Sequence, residues 1–295
     1  MATGNNNMLS VQSIVDDDTH FMKSYDAFNS RLCAGAANWP TEDTIAEIMP
    51  HVMQSVNAST GKTLKALGIG SGSGREEDFF VSHFQPHFVG VHQCIVEPNK
   101  DLINQHKTNV LQNGLKGVTY EWHEERLEEF IASAKEDEKY HFITAIHSLY
   151  CVTNPEEVLG FLYDKLEENG ILLTVLTSEG SVFARVAPTI PNQYTKVISP
   201  SSRSLLDYFR ARGISCEVHN YPLPYDVSGC LNSDPSENES LLLDFLTHVK
   251  DFIKAPLKSE IKEQVVTTIR EMLANSPIDQ EGNGIVIVQK KDHKN

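Results

Sequence analysis

The chain has 295 residues, 40% of them hydrophobic and 22% charged, with 13 prolines against 17 glycines, a composition that excludes disorder, collagen and coiled coil as descriptions of the whole. Forty acidic against 25 basic residues give a formal charge of -15, which repels phosphate backbones, speaks against a nucleic-acid partner and favours cationic small molecules. No stretch approaches the roughly 18 consecutive apolar residues of a membrane span, and the polar start, Met1 to Asn7, lacks the basic and apolar regions of a signal peptide, so a cytosolic chain with no membrane partner is expected. Cys33, Cys94, Cys151, Cys216 and Cys230 are odd in number and form no C-x-x-C pair, as expected of reduced structural thiols.

Residues 1–18 carry no hydrophobic period and end in Asp16-Asp17-Asp18, so a disordered tail is expected, with order beginning near Thr19. Phe21, Tyr25 and Phe28 then recur at helical spacing. Thr41 can cap a second helix whose stripe is Ile45, Ile48, Met49, Val52 and Val56, with Pro50 as a kink. From Lys62 short apolar runs alternate with amphipathic stretches, the signature of β-α units and a mainly parallel sheet. Strands are expected over 63–69, 89–96, 118–122, 142–146 and 171–176, with helices starting at Arg75, Pro98, Glu125 and Pro155. The last has Asn154 as cap, Pro155 at its first position, Glu157 for a capping box and Gly170 beyond its end.

The rhythm breaks over 178–202 and again over 221–239. Helices are expected over 205–211, 241–252 and 258–273, and strands over 214–218 and 285–288. The fold class is therefore α/β, a seven-stranded mostly parallel sheet with helices on both faces. The N-terminal helices and the insertions after strands five and six are expected to build a lid.

The run Leu67-Gly68-Ile69-Gly70-Ser71-Gly72-Ser73-Gly74 follows a strand and opens a helix, where an α/β sheet takes a nucleotide. From Gly70 the spacing is G-x-G-x-G, unlike the G-x-G-x-x-G of dinucleotide sites, and no P-loop lysine follows. This speaks against an NAD-dependent dehydrogenase. The pattern resembles motif I of S-adenosylmethionine-dependent methyltransferases and makes Gly70, Gly72 and Gly74 cofactor candidates. Strand two ends in Ile95-Val96-Glu97-Pro98, and a carboxylate at that edge can accept from both ribose hydroxyls of an adenosine. The plainer alternative for Glu97 is an acid that complements the dipole of the following helix. Strand four runs into His147, Ser148, Leu149 and Tyr150. His147 is expected either to position cofactor or substrate or to be an ordinary hydrogen-bonded histidine, and Tyr150 either to contact substrate or to pack.

Gly68 to Asp78, Ile95-Val96-Glu97-Pro98, Glu121-Trp122-His123-Glu124-Glu125 and Phe142 to Val152 together resemble the histamine N-methyltransferase family. Phe21 to Phe28, Asp226-Val227-Ser228-Gly229-Cys230 and Leu242 to Leu246 extend the likeness over nearly the whole chain. The resemblance implies a Rossmann-like class I fold and a monomeric enzyme that moves a methyl group from S-adenosyl-L-methionine to an imidazole nitrogen. Within one methyltransferase domain over 19–295, it implies a cofactor-binding core at 62–177 and substrate-lid elements at 19–60, 178–202 and 220–275. It carries the cofactor onto Gly70, Gly72, Gly74, Glu97, Ile146 and His147, the last standing where the family has glutamine. Two polar adenine contacts fall on Leu102 and about Leu127, both apolar here.

On the substrate side the resemblance implies an aromatic box at Phe21, Tyr25, Tyr150, Phe183 and Phe245. The family's acidic contact after the first helix falls on Ala34, and its asparagine near the last strand matches Gln280, Glu281 or Asn283, with Glu281 and Asn283 the preferred pair. A cationic amine is expected to be held by the rings and Glu281. No metal is implied, and no metal-ligand cluster is visible in the sequence. A methyltransferase-like binder of S-adenosylmethionine with another substrate, or without histamine turnover, is the alternative.

Overall fold

The computed structural model describes residues 10–34, 39–58, 62–195, 200–274, 278–279 and 282–291. The chain divides into two compact units. The sheet unit comprises Asn38–Thr177, Pro200–Tyr221 and Asn283–Asn295; the second unit comprises Met1–Ala37, Ser178–Ser199 and Pro222–Gly282.

The sheet unit contains α2 (Glu42–Ala58), β1 (Thr63–Ile69), α3 (Arg75–Phe84), β2 (Gly90–Val96), α4 (Lys100–Asn113), β3 (Val118–His123), α5 (Leu127–Ser133), β4 (Tyr140–Ile146), α6 (Pro155–Asp164), β5 (Leu166–Thr177), α9 (Ser202–Ala211), β6 (Cys216–Tyr221) and β9 (Asn283–Gln289). Its seven strands lie in the order β3-β2-β1-β4-β5-β9-β6. The first five are parallel, while β9 runs antiparallel to both β5 and β6. From β1 the chain turns to β2 on one side and reaches β4 on the other, so the carboxyl ends of β1 and β4 form the switch point where α/β sheets bind ligands.

Residues of opposite parity feed two cores, as the two-residue side-chain period of a strand requires. Leu64 and Ala66 face Ile48, Val52, Phe80 and Phe84 of α2 and α3. Leu67 and Ile69 face Phe130, Leu159, Leu162 and Phe209 of α5, α6 and α9. Each fully buried ring such as Phe80, Phe84 or Phe142 contributes roughly 1.5–3 kcal/mol by leaving water. Tyr140 falls on the face opposite to Phe142 because the β4–β5 register shifts between them.

The second unit contains α1 (Asp18–Asn29), α7 (Val182–Val186), α8 (Asn192–Thr195), β7 (Tyr225–Asp226), α10 (Glu237–Thr247), α11 (Ser259–Met272) and β8 (Ile278–Asp279). Here β7 and β8 form a small antiparallel pair that the sequence pattern did not suggest. No helix among the described residues is long and apolar enough to cross a membrane.

Several expectations are corrected. Residues 10–18 are ordered: Ile14 is fully buried, Ser13 bridges Val249, and Asp17 caps α1 by accepting from the His20 N–H at 3.0 Å. One buried anchor and a bridge suffice without periodicity; residues 1–9 lie outside the described residues. Helix α2 belongs to the sheet unit rather than to the expected lid elements at 19–60, because its stripe packs on the sheet. Helix α6 stops at Asp164, well before Gly170, and β5 starts at Leu166, with Asn169 inside it at φ 60° where the β4–β5 register shifts. Asn154 caps α6 as expected, but Glu157 accepts from the Asn154 side-chain amide rather than closing a capping box. Helix α10 ends at Thr247 instead of Phe252, since His248 takes φ 54° and Asp244 captures the Asp251 and Phe252 N–H groups.

Candidate functional site

The loop from β1 to α3 is shaped by Gly70, Gly72 and Gly74, at φ 60°, 56° and 80°, a left-handed conformation that glycine alone adopts without strain. Their surroundings differ. A Cβ on Gly70 would run into Ser148, and one on Gly74 into the His106 ring, whereas one on Gly72 would meet nothing within 4 Å. His106 is fully buried and bonds Asp78 at 3.0 Å, which ties the start of α3 to α4. The backbone around Gly72 is therefore held from behind and open in front.

Glu97 is 5% exposed. One of its oxygens accepts from the Gly72 N–H at 2.7 Å and the other from the Asn99 N–H at 2.8 Å. It thus fastens the glycine loop to the first turn of α4, which Asn99 caps by accepting from the Asp101 and Leu102 N–H groups. Each carboxylate oxygen has two lone pairs, so holding the loop and accepting from a diol are compatible. Leu102 lies half-buried in that turn. Leu127 is different: it is 8% exposed and packs in the core with Phe130, so its predicted adenine contact is replaced by a structural role. Burial of an apolar side chain at the first position of α5 explains this, since the helix must cover the sheet there.

After β4, Ile146 is half-buried and His147 takes φ 52°. The His147 N–H donates to the Val175 carbonyl at 2.9 Å. Its Nδ1 lies 3.1 Å from the Tyr150 hydroxyl, which accepts from the Thr177 N–H at 2.8 Å. His147 is an exposed residue, and the ordinary imidazole pKa of about 6.5 leaves it mostly neutral at pH 7. Tyr150 is half-buried and tethered to the end of β5.

Beneath the loop stands Glu77, 3% exposed, accepting from the Thr144 hydroxyl at 3.2 Å. Burial first, and the neighbouring Glu76 second, push its carboxyl up to about 8.

In the second unit Phe21, Tyr25, Phe183 and Phe245 come together as expected, with Phe28 added. Phe245 is the hub, with ring centroids 4.9 Å from Phe28, 5.9 Å from Phe183, 6.0 Å from Tyr25 and 6.5 Å from Phe21. Tyr25 is 41% exposed, so the cluster presents ring surface outward. Tyr150 pairs with His147 in the sheet unit. Ala34 sits exposed in a turn after α1. Asn283, at the start of β9, is 3% exposed and lies in the sheet unit. Gln280 and Glu281 lie outside the described residues.

The sequence reasoning missed His248, whose ring packs edge-on to Phe183 at 5.1 Å. It also missed two groups of metal-capable side chains, Cys94 with Glu121 and His123, and Glu47 with Glu217 and His219, whose ligand atoms lie within 4.8 Å of one another. Strand pairing assembles the first, with Cys94 opposite Glu121, whereas the second joins Glu47 of α2 to Glu217 and His219 of β6. In each, a histidine is already paired with a glutamate.

The glycine loop and strand-two carboxylate fit an adenosyl cofactor on two structural grounds. The space beside Gly72 is not filled by protein, and the buried Ser148 Oγ, on the loop behind Gly70, has no hydrogen-bond partner among the described residues. Gly72→Ala is expected to weaken cofactor binding about 10- to 100-fold, because its Cβ enters that space, while costing only about 1–2 kcal/mol of fold stability through left-handed strain. Titration calorimetry and a melting curve on the same variant check the two parts separately.

A family model described as a methyltransferase domain matches residues 35–218. Histamine N-methyltransferase of Danio rerio is 27% identical over 281 residues, covering 91% of this chain and 93% of that protein. Carnosine N-methyltransferase 2 of Gallus gallus is 29% identical over 252 residues, covering 81% and 77%. Histamine N-methyltransferase B of Xenopus laevis is 28% identical over 272 residues, covering 88% and 90%. Among solved structures, the plantazolicin methyltransferase BpumL, in complex with a pentazolic desmethylPZN analogue and SAH, is similar with a TM-score of 0.50 at 14% identity, covering 94% of this chain and 93% of that one. The YcgJ protein of Bacillus subtilis is similar at the same TM-score of 0.50 and 12% identity, covering 83% and 99%. These structural likenesses concern the fold.

Proposed function

We propose, for a chain that belongs to the methyltransferase-domain family as a divergent relative of the histamine N-methyltransferases, that it methylates a ring nitrogen of histamine or of a related small imidazole amine, working as a cytosolic monomer. Its cofactor is S-adenosyl-L-methionine. The observation that carries the substrate proposal is the aromatic cluster around Phe245, in which Tyr25 is exposed, a set of rings suited to a cationic amine.

When bound, the cofactor supplies a methyl group on a sulfonium, already electrophilic. Gly70, Gly72, Gly74 and Glu97 are the residues that would hold it, with Ile146 and His147 on the adjoining loop. Glu97 holds the Gly72 amide at 2.7 Å, which fastens the loop. A neutral imidazole nitrogen is already a nucleophile, and the work left to the protein is placement and removal of water. His147, neutral and held by Tyr150, has the position of a group that orients rather than one that removes a proton. His147→Gln is therefore expected to leave kcat within about tenfold of the parent; a steady-state assay that returns a larger fall would make His147 a participant in the chemistry.

A second reading, a methyltransferase acting on a different small molecule, is favoured by Ala34, which offers no carboxylate to an amine. The test is titration calorimetry with S-adenosylmethionine followed by measurement of S-adenosylhomocysteine formed with histamine. Binding with product supports the proposal. Binding without product favours the second reading, and absence of cofactor binding would overturn both.

A further inference from the structure

His248 caps α10 with φ 54°. Glycine is the usual residue for that left-handed turn, and a histidine there costs on the order of 1 kcal/mol or more. The surrounding chain holds it nonetheless. The His248 carbonyl accepts from the Ile14 N–H at 3.1 Å and from the Ser13 hydroxyl at 3.3 Å. Three residues on, the Asp251 and Phe252 N–H groups donate to the Asp244 carboxylate at 2.9 and 2.8 Å. The turn is fixed on both sides of the imidazole.

The side chain so fixed is 3% exposed. Its ring stands edge-on to Phe183 at 5.1 Å and tilted against Phe245 at 6.2 Å. Within these aromatic surroundings Nδ1 has no hydrogen-bond partner among the described residues. A buried polar atom left in this state costs roughly 1–3 kcal/mol, and a phenyl ring would fill the space without that cost. Burial also pushes the His248 pKa down to about 4, so at pH 7 the group is an uncharged hydrogen-bonding ring inside an aromatic cluster. A strained backbone and an unpaired polar atom on one residue are each unfavourable for folding, and a ligand that supplies the missing hydrogen-bond partner relieves the second of them.

We propose that His248 recognises the substrate: its Nδ1, in the tautomer protonated at Nε2, accepts a hydrogen bond from an N–H of a small amine or imidazole seated on the cluster of Phe21, Tyr25, Phe183 and Phe245. The inference rests on the amine reading of the preceding subsection and adds a specificity residue to it. Phe245 and its neighbours supply ring faces that attract an ammonium but do not orient it. A fixed acceptor at His248 adds direction, and so selects ligands carrying an N–H over quaternary amines, which have none to give.

The experiment is calorimetry of histamine, and of a quaternary trimethylammonium analogue of it, on the wild-type protein and on His248→Phe, each saturated with S-adenosylhomocysteine. His248→Gln is carried alongside as the variant that keeps an acceptor. The expected result is at least tenfold weaker histamine binding to His248→Phe, a smaller loss in His248→Gln, weaker wild-type binding of the quaternary analogue, and cofactor affinity unchanged in all. Steady-state kinetics should place the loss in KM more than in kcat. Equal histamine affinity in wild type and His248→Phe, with the cofactor bound, overturns the role of His248 and leaves the amine reading standing. Wild type that binds the cofactor but not histamine overturns the amine reading and this inference with it. A His248→Phe protein that has lost cofactor binding as well would assign the residue to folding and overturn the recognition role.

Discussion

Glu97→Ala is expected to remove about 2–4 kcal/mol from S-adenosylmethionine binding, a roughly 30- to 800-fold rise in Kd. Two losses combine. The carboxylate that could meet the ribose is gone, and the Gly72 and Asn99 N–H groups it receives at 2.7 and 2.8 Å lose their acceptor. Because Glu97 is 5% exposed, water does not simply replace it, and the glycine loop is freed from α4. Glu97→Gln should fall between the two, since it retains one acceptor oxygen but sets an NH₂ against one of the donors. Calorimetry with S-adenosylmethionine, with a melting curve to report the structural share, measures both. An unchanged Kd would reduce Glu97 to an acid at the start of a helix.

Glu77→Gln should change how stability depends on pH. The carboxyl ordinarily titrates at 4.5 and is pushed up to about 8 in the folded chain by burial. Below pH 4.5 it is protonated in both states, and its burial as a neutral acid carries no ionic penalty. As pH rises towards 8 the unfolded chain releases the proton and the folded chain keeps it, so stability falls by about 1.4 kcal/mol per pH unit. The drop reaches roughly 4–5 kcal/mol by pH 8, where the folded group ionises in turn and the loss levels off. Glutamine has no proton to release. The variant should therefore match or slightly trail the parent at pH 4.5 and exceed it at pH 8, which urea denaturation at the two values tests. Equal pH dependence in the two proteins would mean that the Glu77 carboxylate is ionised in the native state.

Much of the proposed cofactor end is legible in the sequence because its signals are local. Three glycines at alternate positions, a carboxylate at a strand end and a histidine after strand four are each tied to one β-α turn, so finding the strand finds the residue. The structure confirms those turns, with β1 at Thr63–Ile69 and α3 from Arg75. Leu127 shows the limit of such an argument. The family resemblance placed an adenine contact at about this position, but the side chain packs in the core with Phe130, since which face of a helix is buried depends on what lies beneath it.

The aromatic end was legible as residue types and not as a constellation. Phe21 and Tyr25 share a helical stripe, but nothing local tells that Phe183 joins them through Phe245, more than 60 residues further on. His248 carried no sequence signal, because its importance lies in an unpaired Nδ1 and a left-handed backbone. Likewise Glu77 is one of three acids in the first turn of α3, and only the sheet places Thr144 against it.

The sequence by itself determined the α/β alternation, the glycine turn, the carboxylate at the end of β2 and the acidic charge balance, since these follow from composition, side-chain period and chain-adjacent geometry. Tertiary structure alone decided that α2 belongs to the sheet unit, that residues 10–18 are anchored through Ile14, that α10 stops at Thr247, and which polar groups are buried without a partner. Those outcomes depend on contacts between segments far apart in the chain, where burial and desolvation set the energy and no pattern within one segment records it.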